Sequence, residues 1–118
     1  MLWIGVAAAS GALAVVAGAF GAHALRDQVS PQLLATWNTA VQYQLLHSVV
    51  LLALGLFSHT TQKGVDLPSW LFLLGILLFS GSLYGLVLTQ QSWLGPVTPI
   101  GGVLLIAAWL SLLWLARA

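Results

Sequence analysis

The side chains that could do chemistry in this chain are few, and most of them fall at helical spacing. Three histidines, two tyrosines, two aspartates and three Lys/Arg are its titratable side chains, and there is no cysteine. Thr36, Thr39, Tyr43 and His47 recur at i, i+3 and i+4 spacing, which lays them along one helical stripe with Gln44 beside it. Ser80, Ser82 and Tyr84 make a second cluster, Gly21-Ala22-His23 a third, and Thr98-Pro99-Ile100-Gly101-Gly102 a fourth. Proton relays inside apolar segments are built from Asp, Glu or His. Here Asp27 and Asp66 both lie in breaks between apolar runs, so only His47 could serve, with Tyr43 or Tyr84 as partner. A metal or haem site would need His23 and His47 to find further ligands, and neither has a second one on its own helix. No H-E-x-x-H, G-x-S-x-G, phosphate loop or dinucleotide fingerprint is present. No catalytic residue, metal ligand or cofactor is therefore assigned.

The elements that must position these residues follow from composition. The chain has 118 residues, 60% of them hydrophobic and 4% charged, against about 25% charged in a soluble domain. So few charges cannot cover a water-exposed surface. A net charge of +1 gives no footprint for nucleic acid. Four apolar runs approach or exceed the ~20 residues that cross ~30 Å of hydrocarbon. The expectation is a single transmembrane domain over 1–118 with spans at about 2–23, 38–58, 68–89 and 99–116. Helices satisfy their own backbone in lipid, so the fold class is all-α, an integral membrane four-helix bundle running up-down-up-down.

The breaks carry start and stop signals. Ser30-Pro31 reads as an N-cap with proline at the first helical position, so helix 2 begins before its apolar part. Pro68 and Pro99 open helices 3 and 4, and Gly95-Pro96 marks a turn. Ala22-His23-Ala24 resembles a signal-peptidase site, but no Lys or Arg precedes the run, and the run exceeds a 7–15-residue signal core. Lys63 and Arg117 fall on one side of the membrane and Arg26 on the other, which places both termini in the cytoplasm. Trp3, Trp37, Trp70, Trp93 and Trp114 fall near span ends as an aromatic belt, while Trp109 is deeper and packs.

Alternating topology puts all four polar clusters in one membrane half. At 1.5 Å per residue, His47 and Ser80 both sit roughly 12–15 Å below that surface. The candidate ligand-binding cluster is His23, Tyr43, Gln44, His47, Ser80, Ser82, Tyr84 and Thr98. The competing reading is interhelical glue, worth about 0.6 kcal/mol per bond, for Gln44, His47, Ser80, Ser82 and Thr98, packing with a satisfied hydroxyl for Tyr43 and Tyr84, and a hydrated surface histidine for His23. Candidate helix-packing residues are Gly11, Ala14, Gly18, Gly21, Gly81, Gly85, Gly101 and Gly102, since small residues let backbones approach closely in lipid.

Five motifs follow in order: Gly18-Ala19-Phe20-Gly21-Ala22-His23, Trp37-x-Thr39-Ala40, Tyr43-Gln44-x-x-His47, Leu78-Phe79-Ser80-Gly81-Ser82-Leu83-Tyr84 and Thr98-Pro99-Ile100-Gly101-Gly102. In this register the chain resembles the small bacterial membrane proteins grouped as domain of unknown function 423, themselves similar to the animal transmembrane protein 256. The resemblance covers about residues 5–116 and implies four spans in the bacterial cytoplasmic membrane. It implies no reaction, ligand or cofactor.

Three functional readings stand. In the first, the polar half-bundle is a binding or transport module for a small solute or lipid-like ligand. In the second, the Gly/Ala faces make a structural subunit that docks a larger membrane complex or a second copy. The third, an enzyme, is the least favoured, because catalytic signatures are missing. Shape discriminates the first two: a wet cavity lined by His23, Tyr43, His47 and Ser80 favours binding, and a filled bundle favours the accessory role.

Overall fold

Ser30 starts the second helix as its side chain predicts. Its hydroxyl accepts the Leu33 backbone N–H at 3.2 Å, and Pro31 takes the first helical position, where no N–H is required. The computed structural model describes residues 1–117. Helix α1 spans Leu2–Phe20 and continues into a π-helical turn over Gly21–Leu25. Helix α2 spans Pro31–Thr61, α3 Asp66–Thr89 and α4 Val97–Ala116, the last preceded by a 3₁₀ turn at Ser92–Leu94. Helices α3 and α4 therefore begin two residues before Pro68 and Pro99. Each proline sits in a first turn, whose N–H groups have no intrahelical partner anyway.

All four helices are long and apolar enough to cross a membrane. At 1.5 Å per residue α2 is about 46 Å long, longer than ~30 Å of hydrocarbon. Its polar first turns and its His59–Thr61 end thus reach beyond an apolar slab. A hydrogen bond from the Trp3 indole to Asp66 (2.9 Å) ties the start of α1 to the start of α3, so both lie at the same end of the molecule.

The helices pack in chain order, α1 on α2, α2 on α3 and α3 on α4, with no comparable α1–α4 interface among the described residues. The Cα envelope is correspondingly flat, 48 × 26 × 16 Å. Lipid supplies no hydrophobic drive between helices, so close approach and dispersion must hold them. Three glycines allow that approach. A Cβ on Gly55 would lie 2.9 Å from the Ile4 nitrogen, one on Gly75 2.6 Å from Leu105, and one on Gly101 2.7 Å from the Leu78 carbonyl carbon. Around these contacts Leu51, Phe72 and Ala108 are wholly buried, with Trp3, Ala7, Ile76 and Leu105 nearly so.

Packing in a row leaves gaps between next-nearest helices. One groove, ≈ 500 Å³, lies between α1 and α3 with α2 as its floor. A second, ≈ 600 Å³ and wholly hydrophobic in its lining residues, lies between α2 and α4 toward the end that carries both termini.

Candidate functional site

Helix α2 presents its polar residues to two different sides. On the first side Gln44, 8% exposed, cross-links three helices. Its amide nitrogen donates to the Ser10 carbonyl of α1 at 3.0 Å. Its amide oxygen accepts the Tyr84 hydroxyl of α3 at 2.6 Å. A carbonyl can only accept, so the Ser10 contact fixes the amide orientation. The Ser48 hydroxyl, one turn below, lies 2.7 Å from the Ser10 hydroxyl and 2.6 Å from the Gln44 carbonyl. One turn toward the other end, the Ser80 hydroxyl donates to the Ala40 carbonyl at 2.7 Å, and the Trp37 indole donates to the Ala17 carbonyl at 2.8 Å.

The other side is aromatic and centred on His47, 3% exposed. Its Nδ1 lies 2.7 Å from the Tyr43 carbonyl, and its Nε2 lies 3.1 Å from the Trp109 Nε1 of α4. The carbonyl requires a donor and the indole N–H requires an acceptor, so the ring is the neutral Nδ1–H tautomer. Phe72 and Trp109 pack edge-on beside it, with ring centroids 5.5 Å apart, and Tyr43 lies on Phe79 at 4.3 Å. Both ring nitrogens are engaged, which leaves His47 no open position for a metal or a substrate proton. Among the described residues no group of three His, Cys, Asp or Glu side chains is close enough to hold a metal ion.

A direct consequence is testable. His47→Leu strands the Trp109 N–H in hydrocarbon and should cost about 1 kcal/mol of unfolding free energy in detergent micelles. Adding Trp109→Phe should then cost clearly less than it does in the parent, by at least about 0.5 kcal/mol. Strictly additive losses would show that the two rings are not bonded.

The candidate cluster is thus divided, not gathered around one cavity. Gln44, Ser80 and Tyr84 come together at the α1–α3 groove. Tyr43 and His47 face α3 and α4, with Tyr43 42% exposed toward the bilayer. Ser82 and Thr98 bond to each other across α3 and α4. His23 is exposed on the π-helical turn, away from both sets. Gln44, His47, Ser80, Ser82, Tyr84 and Thr98 each bond to another group of the protein, and of His23, Tyr43, His47 and Ser80 only Ser80 lines the α1–α3 groove.

The candidate packing residues also divide. Ala14 is wholly buried, and a Cβ on Gly11 or Gly18 would touch Ser48 or Val41 of α2 at 3.9 or 3.4 Å. Gly21 lies against the Trp37 ring and Gly85 against Leu94. Gly101 meets the α3 backbone, and Gly102 makes ordinary contact with Phe79. Gly81 differs: nothing lies within 4 Å of a Cβ built on it, because it faces the open groove.

The candidate cluster omits Ser10, Ser48 and Trp109, the last of which is expected only to pack. A signal existed for the first two. Ser10, Ala14, Gly18 and Ala22 recur every four residues as a small-residue stripe, and Ser48 follows Gln44 by four residues. Nothing local marks Trp109 as the partner of a histidine 62 residues away.

Gln44, Ser80 and Tyr84 share an open groove. Its walls are Leu13, Val16 and Phe20 from α1 and Ile76 and Leu77 from α3, with Trp37 closing the floor. It runs about 12 Å along α3, from Tyr84 to Ile76 at 1.5 Å per residue. Its volume falls within the ~300–1,000 Å³ of small-molecule sites.

Comparison with known proteins gives the family but no ligand. The family model described as "Protein of unknown function (DUF423)" matches residues 17–102, which hold all eight residues of the candidate cluster. A UPF0382 membrane protein of Staphylococcus aureus is 47% identical over 112 residues, covering 95% of this chain and 92% of its own. One from Staphylococcus epidermidis is 51% identical over 100 residues, covering 85% and 82%. One from Staphylococcus saprophyticus is 50% identical over 100 residues, covering 85% and 83%. No solved structure matches the chain.

Proposed function

The chain belongs to the family of membrane proteins described as "Protein of unknown function (DUF423)", and from that premise we propose that it binds a lipid-like ligand in the groove between α1 and α3. The observation that carries this reading is the groove itself: ≈ 500 Å³, walled by aliphatic side chains, open sideways, with a bonded Gln44–Tyr84 pair in its floor. A groove of that character in a membrane helix array opens onto acyl chains rather than water. The self-satisfied polar layer supports a lipid-like ligand over a small solute, because a solute path needs groups left open to replace its hydration. The protein sits in the cytoplasmic membrane with both termini in the cytoplasm, as the Lys63 and Arg117 side against the Arg26 side favours.

Gly81 makes a clean test. Its Cβ direction is open, so Gly81→Leu projects its side chain into the groove, and loss of a mid-helix glycine adds up to about 1 kcal/mol of helix stability. Native mass spectrometry of gently extracted parent protein should show a retained lipid-like ligand. Gly81→Leu should lose it while remaining at least as stable. Equal retention by the plugged variant would refute the groove.

The alternative is an accessory subunit or homo-oligomer. It is favoured by a smaller hollow of ≈ 370 Å³ between α1 and α2, lined by Ala8, Gly11 and Ala12 among others, which suits an incoming helix. A dimer or a stoichiometric partner in the same extracts, unaffected by Gly81→Leu, would support it.

A further inference from the structure

We infer that the natural occupant of the α1–α3 groove is a neutral lipid alcohol, whose hydroxyl donates to the Gln44–Tyr84 pair while its chain lies along α1 and α3. This rests on the groove reading above and adds the chemistry of the occupant.

Charge is the first constraint. None of the groove-lining residues is Lys, Arg, His, Asp or Glu. A charged headgroup drawn down to this level would have no counter-ion in a medium that penalises lone charges severely. The occupant's polar part is therefore neutral at the depth of Gln44.

The hydrogen-bond inventory is the second. Every strong donor on the groove floor already has an acceptor within the protein. The Trp37 N–H goes to the Ala17 carbonyl, the Ser80 O–H to the Ala40 carbonyl, and the Tyr84 O–H to the Gln44 amide oxygen. The Gln44 amide nitrogen is turned away from the groove, to Ser10 of α1. Acceptors are different. A phenolic oxygen and an amide oxygen each carry two lone pairs. Among the described residues the Tyr84 oxygen accepts no bond, and the Gln44 amide oxygen accepts only one. What the floor can still do is accept, and its complement is a neutral donor. An ester or ketone carbonyl or an ether oxygen offers only lone pairs and would have to break an existing bond to be held. A lipid hydroxyl gains one bond that ordinary acyl chains competing for the groove cannot make.

One added hydrogen bond corresponds to a preference of about threefold to tenfold. The experiment is a competition in nanodiscs between geranylgeraniol and its methyl ether, with retention read by native mass spectrometry. The two probes share one chain and differ in a single donor. The parent protein should retain the alcohol about threefold to tenfold over the ether. Gln44→Leu combined with Tyr84→Phe, which removes both acceptors, should bring that ratio toward one while both probes still bind, and Gly81→Leu should release both. Equal retention of the two probes by the parent, or preference for the ether, would overturn the alcohol assignment and leave the groove reading intact. Retention of neither probe, or of both by the plugged variant, would overturn the groove reading itself.

Discussion

Gly101→Ala should lower the unfolding free energy of this protein in detergent by about 2–3 kcal/mol, near the top of the overpacking range. The new methyl would lie 2.7 Å from the Leu78 carbonyl carbon and the Phe79 Cα, and closer still to the Phe79 nitrogen. Those are backbone atoms, so no rotamer change can make room. Helices α3 and α4 must part instead, and a 0.5–1 Å gap forfeits a quarter to a half of each dispersion contact along the seam. That seam includes Gly75 against Leu105 and the burial of Phe72 and Ala108. In lipid only such packing and the Ser82–Thr98 hydrogen bond hold the two helices together. Gly102→Ala is the control, because its methyl meets only the Phe79 ring at 3.8 Å and should be neutral or slightly stabilising. Equal stability of the two variants in urea or SDS titration would mean that α3 and α4 do not meet at Gly101.

Trp37→Ala should cost a similar amount, about 2–3 kcal/mol, and should loosen one segment in particular. The indole is 5% exposed and packs between Phe20 and Tyr84 at tilted angles, with centroids at 5.6 and 4.6 Å. Large-to-small changes at such sites cost ~3–5 kcal/mol in water-soluble cores. The lower figure here reflects a surface that returns to lipid, not water, so the lost contacts and the lost N–H bond to Ala17 carry the effect. The Ala17 carbonyl also accepts the Gly21 N–H, where α1 widens into the π-helical turn. Removing the indole should raise hydrogen exchange over residues 21–25 more than elsewhere. A Cβ on Gly21 would lie 2.7 Å from Trp37 Cδ1, so Gly21→Ala should destabilise the parent by about 1–3 kcal/mol. The same change should cost clearly less on the Trp37→Ala background, by at least about 0.5 kcal/mol. Identical costs on both backgrounds would separate the glycine from the tryptophan.

Residue composition and spacing determined a good deal by themselves. Sixty per cent hydrophobic residues and five Lys, Arg, Asp or Glu side chains in 118 positions demand lipid, and lipid demands helices. Ser30 capping α2 and Pro31 at its first position are local signals read by local physics. Alternating topology carried Gln44, Ser80 and Tyr84 into the same membrane half, because helix direction flips at each short loop. Which of those side chains touch was decided elsewhere. A stripe on α2 places Tyr43, Gln44 and His47 within one turn, yet adjacent helical positions differ by about 100°. With α1 and α3 on one side of α2 and α4 beyond α3, Gln44 turns to Ser10 and Tyr84 while His47 turns to Trp109. That row-like packing depends on where two backbones can come close, and so on Gly55 and Gly101 meeting particular turns of α1 and α3. No pattern within a single helix encodes that pairing. The open groove beside Gly81 follows from the same cause. A small-residue motif says only that a partner could approach, and the tertiary arrangement decided that at Gly81 no helix does.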